Sequence, residues 1–221
     1  MTPKLVIFDC DGVLVDSEMI ASRELAAYLS DLGRPTQAVE CRNTFTGMSI
    51  KSVGEMVYRD WGLVLPNDFA EQLRDRDRIA FERDLQAVSG VTEILQRLSH
   101  SQTAFCVASS GTPEKIRHSL GITGLIAYFG DHLFSATQVA HGKPAPDLFE
   151  LAAYEMGIAA EHCVVIEDAA PGVQGGVAAG MDVFGFVGAS HSGPESAATL
   201  KNAGARTVFN DMRALPALLN L

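Results

Sequence analysis

Acidic side chains placed directly after an apolar run are the first residues of this sequence with the types and spacing for chemistry. Asp9 and Asp11 follow the run Leu5–Phe8, are separated by one residue, and are followed by Gly12. Two carboxylates on a tight turn at the end of a strand, beside free backbone N–H groups, suit metal binding and in-line attack on phosphorus. The same residues also fit a simple turn that closes a strand. The acidic pair therefore needs support from elsewhere in the chain.

Three further segments carry polar residues at or near the ends of apolar runs. They are Ser109 and Ser110 after Thr103–Ala108, Lys143 in the Gly142–Asp147 loop, and Glu167 and Asp168 after Val164–Ile166. Taken singly, such serines cap helices, a loop lysine is a solvated charge, and an acidic pair closes a turn. Because the segments follow one another in this order, they form one set with Asp9 and Asp11.

Short apolar runs that alternate with helical patterns must position this set. The alternation predicts an α/β fold, with a Rossmann-like three-layer core around a mostly parallel sheet. The predicted strands are Leu5–Phe8, Thr103–Ala108, His132–Phe134, Val164–Ile166, Val183–Val187 and Thr207–Phe209. The predicted helices between them are Gly90–Leu98, Pro113–Leu120, Pro146–Met156, Gly172–Ala179 and Met212–Leu219. Ligands bind at the carboxyl ends of parallel strands, where this set is expected to lie.

A long stretch between the first two strands, Ser17–Leu85, has helical periodicity and no convincing strand. It is too long for a simple crossover, so it predicts an inserted α-helical domain. Its helices are expected at Glu18–Leu32, Ser49–Trp61 and Pro66–Leu85. The predicted domains are a discontinuous α/β core of residues 1–15 and 88–221, and a helical domain of residues 16–87.

The composition, with 47% hydrophobic residues among 221, is that of an ordinary globular protein. A formal net charge of −10 disfavours nucleic acid or an anionic membrane as a partner. No uncharged apolar run reaches the roughly 18 residues of a membrane helix, and the first run is too short for a signal segment. The four cysteines lack CxxC spacing, which disfavours a zinc site or a disulfide framework. We expect a cytoplasmic protein that is monomeric or weakly dimeric.

The four segments together resemble the haloacid dehalogenase superfamily, in its phosphatase and phosphomutase branch with a helical cap inserted after the first motif. The resemblance is carried by Asp-Cys-Asp-Gly at residues 9–12, Ser109-Ser110, Lys143-Pro144 and Glu167-Asp168, and it covers essentially the whole chain. It implies that Asp9 is a nucleophile that accepts a phosphoryl group as an aspartyl phosphate. It also implies that Asp11 protonates the leaving oxygen and then deprotonates the attacking water.

A magnesium ion is a further implication of the resemblance. Its ligands would be the carboxylates of Asp9 and Asp168 and the backbone carbonyl of Asp11, with Glu167 as a ligand through water or as a support. Without such a cation, four clustered carboxylates would repel a phosphate group. The cofactor expected from the resemblance is therefore Mg²⁺.

The resemblance also assigns the groups that bind the transferring oxygens. These are Ser109, Lys143 and the backbone N–H groups at Cys10, Asp11 and Ser110. The Cys10 thiol is expected to turn away from the two aspartates, because successive side chains alternate along an extended chain. Cys10 thus enters the predicted site only through its backbone.

Two related activities share these motifs, phosphate ester hydrolysis and β-phosphoglucomutase-like transfer. The mutase pattern has a histidine where this chain has Ala21 and an arginine where it has Ile50, and neither residue can replace them. The resemblance therefore favours a magnesium-dependent phosphatase acting on a small phosphorylated metabolite, a sugar or sugar-acid phosphate. The mutase stays as the alternative, followed by a non-catalytic phosphate-binding protein. The candidates for substrate specificity in the cap are Glu18, Gly47, Met48 and Ser49.

Overall fold

The computed structural model describes residues 2–45, 48 and 50–221. The chain divides into two compact units. The first comprises residues 1–16 and 86–221, and the second comprises residues 17–85. None of the described helices is both long and apolar enough to cross a membrane.

A parallel sheet forms the centre of the first unit. The strands in the described residues are β1 (Leu5–Phe8), β2 (Ala104–Ser109), β3 (Leu133–Ser135), β4 (Cys163–Glu167), β5 (Asp182–Phe186) and β6 (Thr207–Phe209). Their order across the sheet is β3-β2-β1-β4-β5-β6, and every pairing is parallel. The side chains of β1 are completely buried, as expected for the middle of a parallel sheet covered on both faces. The predicted α/β fold with a mostly parallel sheet is confirmed.

Helices occupy both units. Those in the described residues are α1 (Glu18–Asp31), α2 (Ala38–Phe45), α3 (Ile50–Trp61), α4 (Phe69–Asp84), α5 (Val91–Ser99), α6 (Pro113–Ile122), α7 (Ile126–Phe129), α8 (Asp147–Glu155), α9 (Ala170–Ala178), α10 (Ser196–Ala203) and α11 (Leu215–Leu219). The first four form the second unit and the others belong to the first. The periodicity of the sequence does not predict α2 and α10, which are eight residues long each and too short for a repeating apolar stripe.

The two faces of the sheet bury different residues of the same strand. Leu5 belongs to a buried cluster that includes Phe149 of α8 and Val173 of α9. Phe8, three residues further along β1, meets Phe129 of α7 edge-on, with ring centroids 6.5 Å apart. Because alternate side chains of a strand point to opposite faces, helices cover both sides and the unit has three layers. Each large apolar side chain buried in this way contributes about 1.5–3 kcal/mol to folding.

The second unit has a buried core of its own. The rings of Tyr28 in α1 and Phe69 at the start of α4 stack with centroids 5.2 Å apart. Further buried members of this core are Leu25, Leu29, Phe45, Val57 and Leu73. Charged side chains pair on its exterior, as where Arg76 Nη2 lies 2.7 Å from Asp31 Oδ2. The unit therefore combines an apolar interior with an ion-paired surface.

The two linkers between the units are hydrogen-bonded to each other. The chain leaves the first unit at Asp16 and returns to it at Gln86. The Asp16 N–H donates to Gln86 O at 3.0 Å, and the Val88 N–H donates to Leu14 O at 2.9 Å. The outgoing and returning segments thus run side by side.

Candidate active site

The candidate catalytic residues of the first unit gather at the carboxyl edge of the sheet. Asp9 directly follows β1, Ser109 ends β2 and Glu167 ends β4. These residues are neighbours, since β1 lies between β2 and β4. The chain runs outward from β1 to β2 and later resumes on the other side of β1 with β4, so the strand order reverses here. Such a point leaves a crevice between diverging loops, which is where parallel α/β sheets bind ligands.

Lys143 joins three strand ends through one buried ammonium group. Its Nζ donates to Asp9 Oδ1 and to Glu167 Oε1 at 2.6 Å each, and to Ala108 O at 3.0 Å. The side chain is only 6% exposed. An ammonium group has three donors, and these three partners occupy them. Lys143 is therefore part of the buried frame of the site and not a solvated loop charge.

Glu167 is fixed by both of its carboxylate oxygens. While Oε1 accepts from Lys143, Oε2 accepts from the N–H groups of Asp168 at 3.0 Å and Ala169 at 3.1 Å. A Cβ placed on Gly172 in α9 would lie 1.8 Å from Oε1. The first turn of α9 can approach this carboxylate only because residue 172 has no side chain.

The turn after β1 brings its backbone against Asp168. Gly12 has a φ of +78°, and a Cβ placed on it would lie 2.0 Å from Asp168 Oδ2. Cys10 O accepts a hydrogen bond from the Leu14 N–H at 2.9 Å, which closes the turn. Both the left-handed backbone and the close approach require glycine at position 12.

Burial is the largest single influence on the pKa values of the three carboxyl groups at the strand ends. It raises the pKa of Asp9 from 3.8 to about 7, with attraction to Lys143 opposing the rise and repulsion from Glu167 adding to it. Burial also raises the pKa values of Glu167 and Asp168. For Lys143, burial alone would lower the pKa, but attraction to Asp9 and Glu167 outweighs it and the pKa is raised. One lysine thus faces three buried carboxylates, and negative charge is in excess.

This excess of negative charge fits a divalent cation. Asp9, Glu167 and Asp168 each offer one carboxylate oxygen, and the three oxygens lie within 4.8 Å of one another. Carboxylate oxygens are the hard ligands that Mg²⁺ and Ca²⁺ prefer. A cation among them would favour the charged forms that burial disfavours. The buried acidic group therefore has the chemistry to bind a metal ion.

Two side chains that the motifs do not single out also reach these carboxylates. Lys115 Nζ lies 2.8 Å from Asp11 Oδ2, and His191 Nε2 lies 2.9 Å from Asp168 Oδ2. Lys115 is in the first turn of α6, and a helix that begins at the carboxyl end of a strand presents its first turn at that edge. The sequence therefore does contain a signal for Lys115. His191 lies beyond β5 in a segment without periodicity, and no sequence pattern marks it.

The predicted phosphate-binding residues have different surroundings. Ser109 is 1% exposed, and its Oγ accepts from the Gly111 N–H at 3.1 Å, whereas Ser110 is exposed. Cys10 is also 1% exposed, and burial raises the pKa of its thiol well above the ordinary value. A buried thiol of this kind is inert because the thiolate is the reactive form. The binding of phosphate by these three residues stays a prediction.

The specificity candidates of the second unit are only partly described. Glu18 begins α1 and is half-buried. Met48 is half-buried and packs against the hydrophobic core of the second unit. Gly47 and Ser49 lie outside the described residues. A role for any of the four in substrate choice stays a prediction.

Comparisons with known proteins cover nearly the whole chain. The sequence profile of the haloacid dehalogenase-like hydrolases matches residues 3–180. The 6-phosphogluconate phosphatase of Escherichia coli K12 is 34% identical over 191 residues, which are 86% of this chain and 85% of that protein.

Solved structures with the same fold include two whose sequences are similar as well. A haloacid dehalogenase-like protein from Agrobacterium tumefaciens C58 has a TM-score of 0.88 and 36% identity, over 98% of this chain and 97% of that chain. A haloacid dehalogenase family hydrolase from Deinococcus radiodurans R1, solved with bound phosphate and sodium, has a TM-score of 0.84 and 33% identity. The second match covers 99% of this chain and 95% of the other.

Proposed function

Because the chain belongs to the haloacid dehalogenase-like hydrolase family and is a phosphoric monoester hydrolase, we propose that it removes phosphate from a small phosphorylated sugar or sugar acid through an aspartyl phosphate at Asp9. The observation that carries the proposal is the convergence of Asp9, Lys143, Glu167 and Asp168 at one strand edge. The substrate class follows from the similarity to 6-phosphogluconate phosphatase, whose substrate is a phosphorylated sugar acid.

In the first step, a carboxylate oxygen of Asp9 attacks phosphorus while the bond from phosphorus to the ester oxygen breaks. Asp11 gives its proton to that oxygen, so the sugar leaves as an alcohol. In the second step, Asp11 takes a proton from a water molecule, and the water oxygen attacks the phosphorus of the aspartyl phosphate. The bond between phosphorus and Asp9 then breaks, which releases inorganic phosphate and restores both carboxyl groups.

The charge of the reacting phosphoryl group determines what the surrounding residues do. Lys143 holds Asp9 in place by a hydrogen bond and contributes a fixed positive charge beside it. Ser109 and the backbone N–H groups of the turn after β1 are proposed to bind the phosphoryl oxygens. Asp9, Glu167, Asp168 and the carbonyl of Asp11 would hold Mg²⁺, which supplies positive charge against the phosphate dianion.

Substrate selection is assigned to the second unit, residues 17–85. We propose that this unit is the cap of the enzyme, because its helices form a separate core and carry none of the three carboxylates Asp9, Glu167 and Asp168. A unit that is independent of the sheet can vary its surface without disturbing the catalytic residues. Among its described residues, Glu18 and Met48 stay the candidates for contact with the sugar.

The test is phosphate release from 6-phosphogluconate and from a panel of sugar phosphates, with and without Mg²⁺. We expect activity that EDTA abolishes and that falls by at least about 10³-fold in Asp9→Asn. Asp131→Asn, which changes an aspartate that is 98% exposed, is the matched control and keeps wild-type activity. Borohydride added during turnover should reduce the aspartyl phosphate at Asp9 and leave a mass change on that residue.

Several outcomes would contradict the proposal. Activity that persists in EDTA would contradict the proposed role of Mg²⁺. Activity that survives Asp9→Asn would contradict the proposed role of Asp9 as the nucleophile. Isomerisation of a sugar phosphate without net phosphate release would show that the protein is a mutase and not a phosphatase. Binding of phosphate without turnover of any ester would leave only a phosphate-binding protein.

We also propose a cytoplasmic location. The four cysteines are all free and buried, which is typical of proteins that fold in a reducing compartment. Fractionation of cells that express the tagged full-length protein tests this directly. Recovery in an extracellular or membrane fraction would contradict it.

A further inference from the structure

The segment that follows β5, residues 187–192, is held by backbone hydrogen bonds in both of its halves. The Val187 N–H donates to Phe209 O at 2.9 Å, which extends the pairing of β5 with β6. The Ser192 N–H donates to Ala189 O at 3.1 Å, which closes a turn. The side chains of this segment, called the β5 loop below, are therefore presented from a defined backbone.

Two adjacent residues of the β5 loop contact two different acidic residues. The Ser190 hydroxyl donates to Asp16 Oδ1 at 2.7 Å, and the Ser190 N–H lies 3.2 Å from the same oxygen. His191 Nε2 lies 2.9 Å from Asp168 Oδ2. Asp16 is the last residue of the first unit before the second unit begins. The loop thus connects Asp16, in the outgoing linker, to the carboxylate of Asp168 at the strand ends.

The contact between His191 and Asp168 is buried on both sides. The two side chains are 9% and 5% exposed, respectively. A Cβ placed on Gly12 would lie 2.9 Å from His191 Cε1 and 2.0 Å from Asp168 Oδ2, so the turn after β1 packs against both groups. A ring confined in this way has little freedom to rotate, and the orientation of the hydrogen-bonded carboxylate is confined with it.

We propose that His191 is a positioning residue for the metal site. Its Nε2–H group donates to one oxygen of Asp168 and fixes the plane of that carboxylate, which has a second oxygen for a cation. The Ser190–Asp16 contact in turn holds the loop that carries the ring. This inference rests on the proposed function, because it requires that a cation bind at Asp168. His191 acts through Asp168 and is assigned no contact with the substrate.

The test measures Mg²⁺ binding directly, by titration calorimetry on the metal-free, full-length protein without substrate. Loss of a hydrogen-bond partner of a metal ligand typically weakens metal binding about 10–100-fold, and we expect this for His191→Ala. Glutamine can place an amide donor near the position of Nε2, so His191→Gln should bind Mg²⁺ within about threefold of wild type. Asparagine is shorter by one carbon, and His191→Asn should bind at least about fivefold more weakly than His191→Gln.

Matched controls separate this role from a general effect on folding. His132→Ala removes an exposed histidine next to β3 and should leave Mg²⁺ affinity unchanged. Thermal unfolding of each variant without metal reports whether it is folded. If His191→Ala does not fold, the comparison of His191→Asn with His191→Gln decides the question, because both keep a polar amide.

Kinetics give a second readout that a merely structural role would not produce. In His191→Ala, the Mg²⁺ concentration for half-maximal activity should rise about 10–100-fold. At saturating Mg²⁺, kcat and the KM for the sugar phosphate should return to within about threefold of wild type. A fall in kcat that excess Mg²⁺ does not restore would overturn the inference, since His191 would then act on the reaction itself.

Asp168→Asn distinguishes failure of this inference from failure of the proposed metal site. If Asp168→Asn binds Mg²⁺ like wild type, the metal site itself is wrong. If Asp168→Asn loses Mg²⁺ while His191→Ala keeps wild-type affinity, only the role of His191 is overturned. Tighter binding by His191→Ala would also overturn it, because the ring would then compete with the cation for Asp168.

Discussion

Two aspartates, one in each unit, have pKa values displaced in opposite directions. Asp9 in the first unit is buried, and burial raises its pKa to about 7. Asp84, at the end of α4 in the second unit, accepts hydrogen bonds from Arg83 and Arg23, which lower its pKa to about 2. The first carboxylate shares one lysine with another acid, whereas the second is 30% exposed and has two arginine partners, which also lie near Glu24.

The difference lies between buried acidic groups that have too few cationic partners and surface acidic groups that pair with arginines in contact with solvent. At the strand ends, buried carboxylates outnumber the cation among them, and a metal ion or a proton must complete the site. On the helices of the second unit, several acidic side chains pair with surface arginines, among them Asp31, Asp60 and Glu82, and such exposed pairs contribute about 0–1 kcal/mol. Substitutions should therefore lower stability and activity strongly at the strand ends of the first unit and only weakly on the surface of the second unit.

The largest expected effect comes from Lys143→Met, which keeps the length of the side chain but removes the ammonium group. Two buried carboxylates then lose their shared partner, and we expect stability to fall by about 3–5 kcal/mol. We also expect kcat to fall about 10²–10³-fold because the fixed positive charge beside Asp9 is lost. Urea unfolding and phosphate release measure the two effects. If this variant were as stable as wild type, the strand-end charges would be no more sensitive to substitution than the surface charges of the second unit.

The second prediction concerns the pH dependence of stability without metal. The pKa of Asp9 is about 7 in the folded protein and 3.8 as its ordinary value, so the folded state holds this proton more tightly than the unfolded chain does. Its stabilising contribution is therefore complete below about pH 4 and is lost as the pH rises through about 7.

Asp9→Asn cannot titrate and serves as the reference for this effect. Between pH 4 and pH 8, wild type should lose up to about 4 kcal/mol relative to the variant, measured by urea unfolding at each pH. Added Mg²⁺ should reverse the loss at pH 8, since a cation favours the carboxylate. If the difference in the free energy of unfolding between wild type and Asp9→Asn stayed constant from pH 4 to pH 8, burial would not raise the pKa of Asp9.

An intermediate effect is expected for Lys115→Met, because Lys115 is 40% exposed and its Nζ lies 2.8 Å from Asp11 Oδ2. If Lys115 holds Asp11 in position to protonate the leaving oxygen, turnover of a sugar phosphate should fall on the order of tenfold. Hydrolysis of p-nitrophenyl phosphate should fall less, because nitrophenolate leaves without a proton. Equal losses for both substrates would assign Lys115 to another role.

The smallest effect is expected for Arg76→Met in the second unit. Arg76 lies 2.7 Å from Asp31 and 4.4 Å above the ring of Tyr28, with side-chain exposures of 33% for Arg76 and 62% for Asp31. We expect the free energy of unfolding to change by less than about 1 kcal/mol and kcat to stay at the wild-type value. A loss of activity comparable to that of Lys143→Met would erase the distinction between the two regions.

Much of the strand-end site is predictable from the sequence because its residues are tied to apolar runs. An acidic residue that follows a buried run in a parallel sheet must lie at the carboxyl edge, which places Asp9 and Glu167 without knowledge of the structure. Lys143 is harder, since no strand precedes it directly. Its place in the predicted site follows from the resemblance to the family, and its hydrogen bonds to both carboxylates explain why a lysine stands there.

The contacts that the sequence does not predict depend on loops and on short helices. His191 meets Asp168 because of the path of the β5 loop, and no repeating pattern encodes such a path. Ser190 and Asp16 are joined in the same way across a large separation in sequence. The helix α2 also escapes prediction, because its eight residues have buried positions only at Cys41 and Phe45.

The paired linkers have a consequence for how this protein can change. The outgoing chain at Asp16 and the returning chain at Gln86 are joined by one backbone hydrogen bond of 3.0 Å. The second unit, residues 17–85, is therefore a single insertion whose two ends are adjacent. The register of the sheet does not depend on the length or the sequence of this insertion. The insertion can therefore be lengthened, shortened or exchanged as a module while the strand ends keep their positions. Under the proposed role of this unit in substrate selection, the substrate could change in this way without any change in the sheet.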